Sequence, residues 1–380
     1  MYLLSLAALI RGFVMIILHF TEYASGGIAT YLKDLISAQS RLTDVEKIYL
    51  LVSNFNSDND LLKLSSNKLV VIKYKYRRSV KGIFKIWSLS KLIRKLNPDI
   101  IHIHSSFAGM IRMKFLFSSF KKRIIYCAHG WSFNQDISLV RKNIYKIMEF
   151  FLSFGCEKII NISNYEEINS SFIENNKMIT IYNSLPLCDD ALPHITHKFN
   201  KNSEVLKILF VGRLDKQKGI DLLVRSVNSM DESNSCELTI VGDAVVNPII
   251  EKKNTDNIKF LGWLDKTKVY QAMSEADVLV IPSRWEGFGL VALEAMRAHC
   301  LVLASDAGAL PEIVLNEDTG FVFHSGSLDS LEYELKQVKS LSPLQKEIME
   351  DKAYRRFEYC FSYNKMLDQI MKLYNLVLNT

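Results

Sequence analysis

Short apolar runs alternate with longer amphipathic stretches along most of this 380-residue chain. Runs such as LVVIKY (69–74) and DVLVIPS (277–283) are apolar almost throughout, as buried parallel strands are. The stretches between them, such as VKGIFKIWSLSKLIRKL (80–96), repeat their apolar residues at helical spacing. Because parallel strands need helical crossovers, the alternation predicts an α/β fold of the doubly wound, Rossmann-like type.

The alternation is interrupted once. The segment SLPLCDDALPHITHKFNKNSE (184–204) has no periodicity, and strand patterns resume at residue 207. We therefore predict a first domain over residues 1–187 and a second domain over residues 188–363. The last amphipathic stretch, within residues 364–380, is predicted to be a helix that closes the second domain or crosses back to the first.

The first twenty residues, MYLLSLAALIRGFVMIILHF, are apolar but are interrupted by Arg11. They do not reach the length of a membrane-spanning helix, and they lack the basic start and polar cleavage region of a secretory signal. We interpret VMIILHF (14–20) as the first strand of the fold. Residues 1–12 would then be an extension, with Met15 as the natural start. A short hydrophobic anchor is the alternative.

Charge is distributed unevenly along the chain. Residues 1–188 carry 25 basic and 13 acidic side chains, whereas residues 189–380 carry 22 and 28. A basic half fits nucleic acid or an anionic membrane surface. The spacings of nucleic-acid-binding motifs do not occur, so we expect a membrane surface and no nucleic acid. The six scattered cysteines form no CxxC pair, which favours a reducing cytoplasm over a disulfide framework or a zinc site.

The densest basic segment runs from Lys73 to Pro98, where nine basic residues and no acid are interleaved with apolar ones. A second basic and apolar stretch, MIRMKFLFSSFKKR, follows at 110–123. Such segments either lie on an anionic lipid surface or are solvated helices whose apolar side belongs to the core. The candidates for the membrane or acceptor side are Lys73, Lys75, Arg77, Arg78, Lys81, Lys85, Trp87, Arg94 and Lys95.

Glycine-containing loops follow several predicted strands, at the edge where open α/β sheets bind ligands. Gly26 and Gly27 precede a helix, and alone they indicate either a tight turn or a ligand loop. The loop VGRLDKQKG (211–219) places Arg213 and Lys218 before another helix, and two cations with free backbone amides suit a diphosphate. Neither a dinucleotide fingerprint nor a P-loop is present in the sequence.

The segment PSRWEGFGLVALEAM (282–296) places two carboxylates on either side of a Gly-Phe-Gly turn. Glu286 precedes the turn, and Glu294 falls in about the second turn of a helix that is otherwise apolar. A buried carboxylate needs polar partners, and sugar hydroxyls are suitable ones. The segment therefore predicts a second helix whose N-terminus binds a ligand, at the same edge of the sheet as the loop 211–219.

Together these motifs resemble the retaining, nucleotide-sugar-dependent glycosyltransferases of the GT-B fold, family four. The resemblance extends from Met15 to the end of the chain. It implies two Rossmann-like domains with parallel sheets facing across a cleft, the first binding the acceptor and the second binding the nucleotide sugar. The motifs that carry it are Gly26-Gly27, VGRLDKQKG, IVGD, FLGWL, the E-x7-E spacing of Glu286 and Glu294, and ASDAGALPEIV (304–314).

The resemblance also implies roles for individual residues. Glu294 would bind the ribose hydroxyls and Glu286 the donor sugar, with Arg213 and Lys218 on the diphosphate. His129, in CAHGWSF, matches a family histidine beside the sugar and the acceptor, so the implied catalytic residues are His129, Glu286, Arg213 and Lys218. Further implied donor contacts are Gly26, Gly27, the base-side Trp263, and the backbone amides of Phe288, Gly289, Leu290 and Val291.

The implied activity is transfer of a sugar from a nucleotide sugar, expected to be a UDP-sugar, to a lipid-linked glycan or saccharide in surface-polysaccharide biosynthesis. The configuration at the anomeric carbon of the sugar would be retained. Cations and a helix start can stabilise a diphosphate leaving group, so no metal or other cofactor is expected. Asp58-Asn59-Asp60 is interpreted as a solvated turn. We expect a cytoplasmic protein at the inner face of the membrane. The alternatives are a nucleotide-sugar epimerase of the same fold and a non-catalytic sugar-nucleotide-binding protein.

Overall fold

The structure, a computed structural model, describes residues 14–187, 205–230, 236–244 and 250–379. The interpretations of residues 1–12 and of the segment 188–204 fall outside the described residues. The chain divides into two compact units: the first takes in the chain up to Tyr182 and again from Asn364, and the second is Asn183–Tyr363. The final helix therefore groups with the first unit. None of the described helices combines the length and apolarity that crossing a membrane requires.

The first unit contains a parallel sheet in the order β3-β2-β1-β4-β5-β6-β7. The central strands β1 and β4 are buried almost throughout, as is typical of parallel strands covered on both faces. The strands are β1 Met15–Thr21, β2 Val45–Ser53, β3 Leu69–Tyr74, β4 Ile100–His104, β5 Ile124–Cys127, β6 Lys158–Asn161 and β7 Met178–Thr180.

The helices of the first unit begin after serine, aspartate or glycine residues. They are α1 Gly27–Gln39, α2 Asn59–Leu62, α3 Val80–Leu96, α4 Ser106–Gly109, α5 Leu139–Ser153 and α6 Asn164–Asn169. Helices α1 and α3 bury apolar side chains in the core. For α3, the Ser79 side chain accepts a hydrogen bond from the Gly82 amide, and Asn97 ends the helix in the left-handed conformation at φ 44°. The predicted range 80–96 is confirmed for this helix.

The second unit contains a parallel sheet in the order β10-β9-β8-β11-β12-β13. Its last strand was not predicted, because a run of three residues is too short to form a pattern. The strands are β8 Leu206–Val211, β9 Cys236–Val241, β10 Ile258–Gly262, β11 Val278–Ile281, β12 Leu301–Ser305 and β13 Phe321–Phe323. Two parallel, Rossmann-like sheets with helical crossovers confirm the predicted α/β class.

The remaining helices cover the second sheet, except for the last one, which belongs to the first unit from Asn364 onward. They are α7 Ile220–Ser229, α8 Lys266–Glu275, α9 Leu290–Arg297, α10 Leu310–Ile313, α11 Leu328–Ser340, α12 Pro343–Cys360 and α13 Tyr363–Leu378.

One buried ion pair connects α5 to the chain after α4. Arg112 is completely buried, and its Nη2 donates to Glu149 Oε2 at 2.5 Å while its Nε donates to the Gly109 carbonyl at 2.9 Å. The guanidinium carbon lies 3.5 Å from the centre of the Tyr126 ring. Removing one member of such a pair leaves the other charge buried and unpaired, so Arg112 and Glu149 fix how α5 packs.

We predict that Arg112→Met lowers the free energy of unfolding of the first unit by about 3–5 kcal/mol, because Glu149 is left unpaired in the interior. The double variant Arg112→Met/Glu149→Leu should recover most of that loss. Calorimetric unfolding measures both. The matched control is Arg355→Met, which breaks an exposed pair with Asp351 on α12 and should change stability little. Additive losses in the double variant would contradict the interpretation.

Candidate active site

Three loops meet at the carboxyl edge of the second sheet. They follow β8, β11 and β12, and because these strands are parallel neighbours, the loops lie side by side. The loop after β8 ends at α7, the loop after β11 ends at α9, and the loop after β12 ends at α10. The first two loops are the segments that the sequence selected as ligand-binding.

Lys218 and Glu286 join the first two loops. Lys218 Nζ lies 2.5 Å from Glu286 Oε2, and the hydroxyl of Ser283 donates to the same oxygen at 3.2 Å. The side chains of Lys218 and Glu286 are 18% and 11% exposed, so the pair is largely shielded from water. The structure therefore brings together two of the four predicted catalytic residues.

Main-chain and side-chain contacts reinforce the same junction. The Arg284 amide donates to the Gln217 carbonyl at 2.8 Å, and the Gln217 side chain donates to the Trp285 carbonyl at 3.2 Å. The Arg284 guanidinium binds Asp221 of α7 through two bonds of 2.7 Å, and hydrogen bonding from Arg284 lowers the pKa of the Asp221 carboxyl. Sequence reasoning missed Arg284, because nothing in the motif distinguishes it from a solvated arginine.

Two glycines allow the loops to approach this closely. A Cβ on Gly219 would lie 1.8 Å from the Pro282 carbonyl oxygen, and one on Gly308 would lie 1.9 Å from the Glu286 carbonyl oxygen. Both residues have positive φ, 66° and 63°. Backbone contact on two sides thus fixes the position of the loop that carries Glu286.

Helix α9 begins directly after this loop, at Gly289, with no side chain capping its first turn. Phe288 is buried against the ring of Phe361, and Leu290 and Val291 form the first turn. Such a helix start presents N–H groups and a partial positive charge to an anion. Within α9, Ala292, Leu293, Ala295 and Met296 are buried, whereas Glu294 is half-buried.

Arg213 and Trp263 lie at more open positions of the same unit. Arg213 is held by Gln217, at 2.8 Å from Nη2 to Oε1, and by Asp215, at 3.1 Å from Nη1 to Oδ2. Trp263 follows β10, the edge strand of the sheet, and is 60% exposed. Neither residue contributes to the core, so both side chains are available to a ligand.

In the first unit, Gly26 is the N-cap of α1, with φ 57°, and Gly27 is the first residue of that helix. Both are exposed, and no side chain caps this helix start. The predicted arrangement of a glycine pair and a helix start after β1 is therefore present. Asp58, interpreted from the sequence as part of a solvated turn, is the N-cap of α2 and accepts from the amides of Asp60 and Leu61.

His129 follows β5 and belongs to a line of histidines that the sequence did not reveal. His129 Nε2 lies 2.9 Å from His104 Nδ1, and His104 Nε2 lies 3.0 Å from His19 Nδ1. His19 Nε2 lies 2.8 Å from the side-chain oxygen of Gln39. The line therefore runs from His129, which has a positive φ of 52°, into the interior of the unit.

The final acceptor fixes the direction of every hydrogen bond in this line. The Gln39 oxygen can only accept, so His19 Nε2 carries the proton and His19 Nδ1 is an acceptor. His104 then donates from Nε2 and accepts at Nδ1, which requires His129 to donate from Nε2. All three rings are neutral Nε2–H tautomers, and His129 Nδ1 is left as a hydrogen-bond acceptor.

Burial keeps these rings neutral. It lowers the pKa of His129 to about 3, and it lowers the pKa of His19 to about 4 despite the bond to Gln39, which acts in the opposite direction. Burial, with the neighbouring imidazoles, also depresses the pKa values of His102 and His104. A fourth ring, His102, bonds the Tyr374 hydroxyl of α13 at 2.7 Å.

His19, His102 and His104 offer ring nitrogens within 4.8 Å of one another, a separation at which a metal ion has to be considered. However, the facing nitrogens of His19 and His104 share a hydrogen bond, and the bond from His19 to Gln39 assigns its proton to the His104 nitrogen. A metal ligand needs an unprotonated nitrogen. We therefore assign this cluster to hydrogen bonding.

The basic residues predicted to face a membrane are all exposed. Trp87, from the same predicted set, is half-buried, and its ring N–H donates to the Met110 carbonyl at 3.0 Å. The apolar residues Ile86, Leu89 and Ile93 of α3 lie in the core, so the outer surface of this helix is mainly basic, with Phe84 exposed on it rather than a continuous apolar stripe. Arg78 is also already paired with the buried Glu22 at 2.5 Å. Of the two interpretations of α3, the structure favours the solvated helix.

Comparisons with known proteins agree with these features. The family model "Glycosyltransferase Family 4" matches residues 25–186, and "Glycosyl transferases group 1" matches residues 193–356. A Klebsiella pneumoniae protein of the cps region is 33% identical over 81% of this chain and 86% of its own length.

Two more distant similarities extend the comparison. The Escherichia coli UDP-Gal:alpha-D-GlcNAc-diphosphoundecaprenol alpha-1,3-galactosyltransferase is 27% identical over 79% of this chain and 81% of its own length. Sucrose-phosphate synthase from Thermosynechococcus elongatus superimposes with a TM-score of 0.78 at 18% identity, covering 96% of this chain and 99% of that one. This structural similarity identifies the GT-B fold.

We predict that Gly308→Ala destabilises the second unit more than Gly326→Ala. Both glycines have positive φ, at 63° and 79°, so both variants bear a similar backbone strain of about 1 kcal/mol. Only at Gly308 would the new Cβ meet backbone, which should cost about 1–3 kcal/mol more. Differential scanning calorimetry compares the two variants, and equal losses would show that the contact with Glu286 is unimportant.

We also predict that His19, His104 and His129 are neutral Nε2–H tautomers at pH 5, where an unperturbed imidazole is mostly protonated. Long-range ¹H–¹⁵N correlation spectra report the tautomer of each ring directly. In Gln39→Leu the final acceptor is lost, so the line should become a mixture of tautomers. A charged or Nδ1–H form of His129 in the unmodified protein would contradict the assigned direction.

Proposed function

The chain belongs to the glycosyl transferases of group 1, and from that premise we propose that it moves a sugar from a nucleotide sugar to a lipid-linked glycan or saccharide. The observation that carries the proposal is the Lys218–Glu286 pair, which places a cation and a carboxylate beside the start of α9. A diphosphate needs the cation and the helix start, and a sugar needs the carboxylate. One extended ligand accounts for all three features.

The second unit is proposed to hold the donor. Lys218 uses one of its donors on Glu286, which leaves further donors for diphosphate oxygens. The backbone amides from Phe288 to Val291, at the end of the loop and in the first turn of α9, would face the same diphosphate, with Arg213 at its more exposed end. Glu286 would accept from hydroxyls of the sugar, and Glu294 from those of the ribose. The exposed Trp263 would contact the base.

The chemistry proposed for these groups is charge stabilisation. As the bond between sugar and diphosphate breaks, negative charge grows on the leaving group, and preorganised cations and helix amides stabilise it. This requires no metal ion, and we propose that transfer proceeds without one. We further propose retention at the anomeric carbon by attack on the face that the diphosphate leaves, with no protein nucleophile.

The first unit is proposed to contribute Gly26, Gly27 and His129. The amides at the start of α1 suit a phosphate or a sugar hydroxyl. His129 presents a neutral ring whose Nδ1 accepts a hydrogen bond, so we propose that it binds a sugar hydroxyl rather than acting as a cationic acid.

The acceptor and the donor base are proposed by analogy. The Escherichia coli relative is named for transfer from UDP-galactose to a sugar on a lipid diphosphate, and the Klebsiella relative is placed in a cps region. These names support UDP as the nucleotide and surface polysaccharide as the pathway class. A lipid-linked acceptor also supports action at the inner face of the cytoplasmic membrane.

We predict that Lys218→Ala and Arg213→Ala each lower turnover by roughly 10²–10³-fold, the effect of losing one preorganised charge stabiliser. The assay measures release of nucleoside diphosphate from a panel of nucleotide sugars with saccharide and lipid-linked acceptors. Arg225→Ala is the matched control, because Arg225 is an exposed cation on α7 that lies outside the loop 211–219.

Near-normal turnover of both site variants would reject the donor assignment. Conversion of a nucleotide sugar to its epimer in the absence of acceptor would favour an epimerase. Binding of a nucleotide sugar without turnover of any panel member would favour a non-catalytic binding protein.

A further inference from the structure

Helix α5 exposes apolar side chains along its whole outer side. The six residues that we call the outer face of α5 are each at least 45% exposed, and they recur at i, i+4 and i+7 or i+8, the spacing of one helical face. They are Leu139, Val140, Ile144, Ile147, Phe151 and Phe154. Amphipathic helices of folded proteins normally bury such a stripe, so a stripe directed outward indicates an interaction surface.

The packing of α5 explains why this stripe cannot turn inward. The opposite side of the helix carries Leu152 and Glu149, both buried, and Glu149 is held by the buried Arg112 at 2.5 Å. Rotating the helix to bury the outer face would expose Leu152 and break that ion pair. The orientation of the stripe is therefore set by the core.

The apolar surface continues beyond the helix. Phe117 is fully exposed, and it lines one hollow together with Phe151 and Phe154. Lys121 and Lys177 line the same hollow, and Lys177 Nζ lies 5.4 Å from the centre of the Phe154 ring. Apolar side chains and cations thus alternate within one patch.

The charge around the patch is strongly positive. Residues 110–123 contain no acid and five basic side chains, four of which remain once Arg112, buried against Glu149, is set aside. Helix α5 itself contains Arg141, Lys142 and Lys146. The acid of α5, Glu149, is buried and paired, so it does not offset these cations at the surface. Glu157 is the acid that lines the hollow.

We infer that the outer face of α5, with Phe117, is the surface that binds an anionic membrane. Apolar side chains can enter the boundary between headgroups and acyl chains, while flanking Lys and Arg side chains reach anionic headgroups. This surface replaces α3 as the membrane contact of the first unit. It deepens the proposed function, on which its link to a lipid-linked acceptor rests, by naming the surface used.

A second copy of the chain fits the patch less well. A two-fold dimer through this face would place the same patch on both sides of the interface and would bring the two sets of cations together. An anionic lipid surface, in contrast, complements those cations. Charge complementarity therefore selects lipid over a second copy.

The test is flotation of the full chain with vesicles of phosphatidylcholine, with and without phosphatidylglycerol. The triple variant Ile144→Gln/Ile147→Gln/Phe151→Gln should lower partitioning onto anionic vesicles by roughly 10- to 100-fold, because three apolar side chains lose their burial in the lipid. Arg141→Gln/Lys121→Gln should weaken binding to anionic vesicles by roughly tenfold or more while leaving binding to neutral vesicles unchanged.

The matched control is Leu344→Gln/Ile348→Gln/Tyr359→Gln on α12, where three apolar residues are exposed to a similar degree. It should float like the unmodified chain. Flotation of the α5 triple variant at the unmodified level, or an equal loss in the α12 control, would overturn the inference. So would light scattering that shows a dimer which the α5 variant converts to monomer while vesicle binding persists.

Thermal stabilisation by UDP and UDP-sugars separates this inference from the proposed function. The α5 variant should retain the nucleotide-dependent shift of the unmodified chain, which also shows that it folds. Absence of a shift in every variant would refute the donor proposal, whereas the vesicle result would still decide the membrane surface.

Discussion

The ion pair between Lys218 and Glu286 determines how the loops of the candidate site in the second unit are arranged. It joins the loops after two neighbouring parallel strands, and a charge pair that is less than one-fifth exposed stabilises only when its geometry is held closely. The contacts of Gly219 with the Pro282 carbonyl and of Gly308 with the Glu286 carbonyl supply that restraint. Helix α9 then begins at a fixed position, so its amides, Lys218 and Glu286 form one preorganised group.

In the first unit, a line of hydrogen-bonded histidines holds the candidate site residue His129 in place. The hydrogen-bond line that ends at Gln39 gives His129 a single tautomer, and burial keeps its ring neutral. A histidine held in this way is a fixed acceptor rather than a proton carrier at neutral pH. Its backbone has positive φ, which is uncommon for a non-glycine residue and is consistent with a position specified by function.

Much of this fold could be predicted from the sequence, because buried parallel strands are continuous apolar runs and the helices between them have caps. The short strand β13 was missed, since three residues carry no period. The loop motifs also identified Lys218 and Glu286, although not that their side chains pair. His19, His102 and His104 were overlooked because they lie inside apolar strands, and the register of β1 against β4 that brings them together is not a local property.

The exposed apolar side of α5 was the feature least predictable from the sequence. Helices α3 and α5 both show apolar residues at helical spacing, and the basic charge near α3 favoured it as the membrane contact. Spacing alone does not say which side of a helix faces the core. The structure buries the stripe of α3 and exposes that of α5, because Arg112 and Glu149 fix the inner side of α5.

We propose that the junction of Lys218, Glu286 and α9 binds a nucleoside diphosphate through its phosphates. Isothermal titration of UDP and of uridine tests this most directly, because the two ligands share the base and ribose and differ only in the diphosphate. We expect UDP to bind roughly 10–100-fold more tightly than uridine, because its phosphates accept charge-assisted hydrogen bonds, and we expect Lys218→Met to remove most of that difference. Equal affinities for UDP and uridine, or a difference that survives in Lys218→Met, would contradict it.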